Sequence, residues 1–189
     1  MNRPARLRLS QRGFTLIELI VVVIILGILA AVALPRFISL QRDARVAKLQ
    51  AARGSVSASS ALVHAAALSR SGVPDASTCA GTGLQADNNI GASGTVCTES
   101  GLVFITFGYP QVTGFGGNPG ILSSAGLTGI YIPTQAQLEA EGYTYISNGG
   151  VATFGVVGAT DPTNCYFTYS QPAAPNAAST ISGLTVTGC

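Results

Sequence analysis

The groups in this chain that could do chemistry are few and stand far apart. The single histidine, His64, lies among Ala and Leu in a helical stretch, where a packed imidazole is the ordinary outcome rather than a base or ligand. Serine and threonine are abundant, yet no nucleophile has a recognisable base. The acids Asp75, Asp87, Glu99, Glu139, Glu141 and Asp161 are scattered without the spacing of a calcium loop. Gly114 to Gly120 is glycine-rich, but no lysine follows to hold a phosphate, so it reads as a loop. Cys79, Cys97, Cys165 and Cys189 show no close pair of the kind that builds a zinc site. No residue pattern here supports an enzyme, a bound metal or a cofactor.

One acid is in an unexpected place. Glu18 is the only charge in the 21 apolar residues from Phe14 to Leu34, and a carboxylate in such a run is tolerated where it has a partner. Gly13 and Phe14 supply one. A cut after Gly13 creates an α-amine on Phe14, so that a cation and an anion stand at one end of every copy. Within one helix the first-turn dipole already favours Glu18; in a bundle of staggered helices, the amine of one copy can meet Glu18 of the next.

The elements that position these groups follow from the charge pattern. Only 10% of the residues are charged, far below the roughly 25% of ordinary soluble domains. Residues 1–13 are polar and hold Arg3, Arg6, Arg8 and Arg12. The apolar run that follows is ~30 Å long as a helix, enough to cross a bilayer core. A secretory signal places its small-residue cleavage site after the apolar region; here Gly13 precedes it, so cleavage keeps the run in the mature chain. The leader arginines keep the first residues cytoplasmic and send everything after Leu34 outward. Beyond residue 71 there is no Lys or Arg, which argues against nucleic-acid binding by that half.

The string Arg12-Gly13-Phe14-Thr15-Leu16-Ile17-Glu18-Leu19-Ile20 resembles the processing motif of type IV prepilins and of secretion pseudopilins. The stretches Ala33-Leu34-Pro35-Arg36-Phe37 and Asp43 to Gln50 are similar to pilins of the mannose-sensitive haemagglutinin type. The resemblance covers about residues 10 to 70. It implies that a prepilin peptidase cuts between Gly13 and Phe14 and methylates the Phe14 amine, and that Glu18 serves recruitment and register in a growing filament. It implies as partners identical subunits and an inner-membrane pilus assembly machinery, with the precursor in the membrane first and the filament outside the cell afterwards. It implies, too, that the stretch from Gly27 to Pro35 loses helical structure on assembly, letting the polymer stretch.

Four segments are expected: a cleaved leader at 1–13, a hydrophobic transmembrane or filament-core helix at 14–35, an amphipathic continuation at 36–70, and a disulfide-bonded β-rich head at 71–189. The fold class is α+β, the type IV pilin fold, with a long N-terminal helix whose hydrophobic half protrudes and whose remainder packs on a small antiparallel sheet. A stripe of Phe37, Leu40, Ala44, Ala47, Ala51, Ala58, Leu62 and Ala65 recurs at helical spacing and is expected to face the sheet. Pro35 removes a helical hydrogen bond and should bend or loosen the turn before it.

In the head, Ser71 to Ser100 reads as a loop. Strands are expected at Leu102–Phe107, Gly129–Ile132, Tyr143–Ser147, Val151–Val157, Tyr166–Tyr169 and Leu184–Thr187. A short helix is expected over Thr134–Glu141, with Thr134 and Gln137 forming a capping box and Gly142 ending it. In an exported chain the four cysteines form disulfides, for which three connectivities exist; Cys79 with Cys97 and Cys165 with Cys189 is the favoured pairing. By resemblance, Tyr166 to Gly188 is the contact region that the second disulfide frames. A pseudopilin of a type II secretion system shares the leader and helix, but its major form carries a calcium site in the C-terminal loops. No Asp or Glu lies between Cys165 and Cys189, which favours a surface pilus.

Overall fold

The computed structural model describes residues 14–80 and 82–189, apart from the side chain of Ile38. Helix α1 runs from Leu16 to Arg70. Its first part is rich in β-branched residues, Val21 to Ile25 among them, which are indifferent helix formers in water. In a bilayer core the backbone must satisfy its own hydrogen bonds, and an apolar run of this length does so as a helix. Pro35 sits inside α1, which is assigned as helix through it. At the other end Gly72, at φ +75, takes the left-handed conformation that stops a helix, and its N–H donates to the Asn88 carbonyl at 2.9 Å.

The described residues divide into two compact units, one ending at Gln41 and the other running from Arg42 to Cys189. In the first, the apolar side chains are exposed along the whole run; Leu16 is 75% exposed and Leu29 60%. That many apolar side chains without cover mark a surface for lipid or protein, because water alone is a poor neighbour for them.

The second unit holds the rest of α1 and two antiparallel sheets. The first sheet has the order β1 (Gly94–Thr98), β2 (Gly101–Thr106), β3 (Tyr109–Pro110). The second has the order β4 (Tyr143–Asn148), β5 (Val151–Val156), β6 (Tyr166–Ser170), β7 (Thr180–Ile181). Between the sheets come helix α2 (Ile121–Ser124) and helix α3 (Gln135–Ala140). The expected capping box is present on α3: the Thr134 hydroxyl accepts from the Gln137 N–H, and the Gln137 side chain accepts from the Thr134 N–H.

Register builds the main core. Tyr145, Phe154 and Phe167 stand in one row across β4, β5 and β6, and the Phe154 and Phe167 rings stack with centroids 5.1 Å apart. Leu49, Ala52 and Val56 of α1 pack on this row, joined by Ile121 and Leu138. Further along α1, Val63 and Ala67 meet Val96, Val103 and Ile105 of the first sheet.

Four expectations need correction. The face of α1 that meets the sheets is Leu49, Ala52, Val56, Val63 and Ala67, whereas Leu40 and Leu62 of the expected stripe are 61% and 71% exposed and its alanines are exposed as well. The helix has two apolar stripes, and the bulkier one buries more area against the aromatic rows. Gly129–Ile132 is not a strand. Tyr131 bonds through its hydroxyl to the Leu102 carbonyl, and the Thr128 hydroxyl holds the Ile130 carbonyl at 2.8 Å, so side chains fix the segment without a ladder. Leu184–Thr187 contributes a single bridge, Thr185 to Tyr166, rather than a strand. The loop Ser71–Ser100 ends in β1, whose partner β2 buries Val96 against Val103.

Candidate functional site

At the head of α1, Thr15 and Glu18 cap each other. The Glu18 carboxylate accepts from the Thr15 N–H at 3.0 Å and from the Thr15 hydroxyl at 2.8 Å, both on Oε2, and the Thr15 hydroxyl accepts from the Glu18 N–H at 3.3 Å. This reciprocal box satisfies donors that the first helical turn otherwise leaves open. Phe14 stands before it, 83% exposed. Gly13 lies outside the described residues, so of the expected cleavage junction only the Phe14 side is described. Thr15 escaped the sequence reading, although a Thr three residues before a Glu and ahead of an apolar run is a legible capping signature.

The other expected residues are dispersed. Gly27 has open space where a Cβ would stand. Both favoured disulfides are present, with Cα atoms 5.4 Å apart for Cys79–Cys97 and 4.9 Å for Cys165–Cys189. The first ties the long loop to β1; the second ties residue 189 to the start of β6. The one grouping of metal-ligand side chains among the described residues is Asp75, Cys79 and Cys97, and its two sulfurs are bonded to each other, so they cannot ligate as thiolates. His64 is half-buried: its ring stacks on Tyr109 with centroids 3.8 Å apart, and Nδ1 lies 3.1 Å from the Gly108 carbonyl. A carbonyl can only accept, so Nδ1 carries the proton, and the imidazole serves packing.

Five cations of α1 reach into the head, among them Arg70, which donates to the Cys97 carbonyl at 2.8 Å. Arg42 donates to the Val186 carbonyl at 3.3 Å, Arg45 to that of Cys189 at 2.8 Å and Arg53 to that of Ser182 at 2.8 Å. Lys48 donates to the Glu141 carbonyl and lies 4.6 Å above the centre of the Tyr143 ring. Three of the five therefore hold the segment 182–189 that Cys165–Cys189 also closes. Nearby, the Thr163 hydroxyl and the Asn164 amide hold the Asp161 carboxyl below the usual carboxylate range.

Comparison with known proteins fits this geometry. Residues 8–34 match the prokaryotic N-terminal methylation motif. The chain is similar to the type IV narrow pilus major component PilA5 of Thermus thermophilus, 39% identical over 66 residues, which are 35% of this chain and 54% of that one. It is also similar to the type IV major pilin protein PilA of Myxococcus xanthus, 59% identical over 39 residues, 21% of this chain and 18% of that one. The chain thus spans about half the length of the first relative and about a fifth of the second. No solved structure matches it significantly.

Motif and fold define the class: a protein with an N-terminal methylation signal at the head of a long apolar helix, followed by antiparallel sheets. The homology narrows it, and all three findings support a type IV pilin.

Proposed function

We propose that the chain is a structural subunit, and the major one, of a type IV pilus that serves surface attachment or motility. The observation that carries this reading is the methylation motif over residues 8–34, set so that the Gly13–Phe14 junction falls immediately before the Thr15–Glu18 cap. In this reading residues 1–13 are a leader removed by prepilin peptidase, which also methylates Phe14. Residues 14–35 hold the precursor in the inner membrane and then form the filament core, where Glu18 pairs with the Phe14 amine of a neighbouring subunit. The exposed face of α1 with Ala47, Ala51, Ala58 and Leu62 packs on other copies, and residues 71–189 form the outward head. Gly27 and Pro35 bound the stretch that gives up helical bonding when the subunit enters the filament, which lets the polymer stretch.

Mass spectrometry of the mature chain tests this directly. The expected N-terminus is Phe14 carrying one methyl group, in protein recovered from sheared surface filaments. An intact leader, or a cut beyond Phe14, overturns the reading.

A further inference from the structure

We infer that Arg42 and Lys48 of α1 seat the subunit on an anionic lipid surface before assembly. The inference rests on the reading that residues 14–35 cross a membrane. Between Leu34 and Arg70 the chain carries Arg36, Arg42, Arg45, Lys48 and Arg53, and Asp43 is the only acid. In the head, the hydrogen bonds that hold the cationic side chains of this row all end on backbone carbonyls. The carbonyls of Val186, Glu141 and Ser182, which hold Arg42, Lys48 and Arg53, are neutral peptide groups. Among the described residues the one ion pair is Arg70–Asp75, at the far end of α1. Arg42 and Lys48 are therefore held in place with no carboxylate within ion-pair distance among the described residues, Arg42 exposed and Lys48 half-buried.

The spacing selects the partner. Only residues 35–41 separate the apolar run from Arg42, a reach of about 12 Å as helix. A bilayer that holds the run keeps the first members of the row within reach of its headgroups. Attraction to an anionic surface is about 1 kcal/mol per cation and dies away over a Debye length of about 8 Å at physiological salt. Arg42 thus contributes most and Arg53 least. A headgroup layer is fluid and asks for no directional pairing, which suits guanidinium and ammonium groups whose best donors are already committed to carbonyls. An acidic protein partner has no reason to need this row beside the apolar run. Leader cleavage sharpens the effect, since it removes Arg3, Arg6, Arg8 and Arg12 from the opposite side of the membrane and leaves the outward row as the larger charge.

The test uses the full mature chain in phosphatidylcholine vesicles with trace spin-labelled phosphatidylglycerol or spin-labelled phosphatidylcholine. Electron paramagnetic resonance then reads the fraction of each lipid immobilised by the protein. We expect phosphatidylglycerol to be favoured several-fold, the preference to collapse in high salt, and the double variant Arg42→Gln/Lys48→Gln to lose most of it. Arg70→Gln should leave it unchanged. Retained disulfides and near-ultraviolet circular dichroism show that the variant is folded, and the salt titration of the wild-type chain stands independently of any variant. Equal immobilisation of the two lipids by the wild-type chain overturns the inference, as does a preference indifferent to salt. If the double variant keeps the preference but makes no filaments, the row serves a protein partner and the inference fails. Counting sheared filaments in the same strains separates the two readings: no lipid preference with normal filaments strikes only this inference, whereas a wild-type chain that never enters filaments strikes the pilus reading.

Discussion

Thr15 and Glu18 bond to each other three ways across the first turn of α1, so the acid in the apolar run has a partner within its own chain. The box gives Glu18 a fixed rotamer at the site where a neighbour's Phe14 amine is proposed to arrive. Both Thr15 bonds fall on Oε2, which leaves Oε1 without a partner among the described residues.

Glu18→Gln keeps the size and the cap geometry but removes the charge. The expected outcome is loss of most surface filaments while the monomer still accumulates in the membrane fraction and its leader is still cut. Quantifying sheared filaments and membrane-bound subunit in the same cells reads both; normal filament yield refutes the pairing with the Phe14 amine.

Thr15→Val separates capping from charge. It removes the hydroxyl of the box at a cost to helix start of about 1 kcal/mol and leaves the Glu18 carboxylate intact. Filaments should form at reduced yield, above that of Glu18→Gln, as judged by the same shearing assay.

The two faces of α1 should answer differently to truncation. Val56 is fully buried against the second sheet, so Val56→Ala should destabilise the folded head by about 2 kcal/mol in denaturant unfolding. Leu62 is 71% exposed, so Leu62→Ala should change stability by no more than about 0.5 kcal/mol. A lower filament yield from Leu62→Ala with normal stability would place that face in subunit packing.

Replacing both Cys165 and Cys189 by serine removes the covalent tie of residue 189 and leaves the Tyr166–Thr185 bridge and the bonds from Arg42, Arg45 and Arg53 to hold residues 182–189. The bridge closes a loop with a sequence separation of 24, and its loss should cost about 3 kcal/mol. Denaturant unfolding of the purified wild type and double variant measures this, and reductant, which also opens Cys79–Cys97, should bring the two chains to a similar stability.

Alkaline titration probes the core. Burial pushes the Tyr145 and Tyr169 hydroxyls up to about 12, and both also donate to carbonyls, Tyr145 to Thr113 at 2.6 Å and Tyr169 to Pro110 at 2.8 Å. Burial alone raises Tyr131 to about 12. A folded value above the unfolded one means that the stabilisation is complete below about pH 10 and is lost as pH rises from there toward 12. Ultraviolet absorbance should show Tyr131, Tyr145 and Tyr169 ionising last of the six tyrosines, with Tyr143, which burial also raises, above the ordinary range, together with the loss of near-ultraviolet dichroism. Ionisation of all six together in the folded chain would contradict the burial.

How much of this was legible beforehand depends on the range of the interaction. The Thr15–Glu18 box, the capping box of Thr134 and Gln137 and the extent of α1 involve residues three or four apart, or one continuous apolar run, and such patterns stand in the chain itself. The expected export of the chain made disulfides the natural chemistry for four cysteines, and the favoured pairing is the one present. By contrast, α1 carries two apolar stripes of similar length, and only the shape of the aromatic row Tyr145, Phe154 and Phe167 decided that Leu49 and Val56 face inward while Leu62 does not. Gly129–Ile132 has the composition of a strand, but strand formation needs a partner edge, and the Tyr131 hydroxyl reached the Leu102 carbonyl instead. The row of α1 cations was visible as charge, yet its acceptors at Ser182, Val186 and Cys189 lie more than a hundred residues away. Local spacing determined where this chain is capped and where it can cross a membrane. Which surfaces meet was decided by tertiary packing, because burial rewards whichever distant side chains fit together and no short-range pattern encodes that fit.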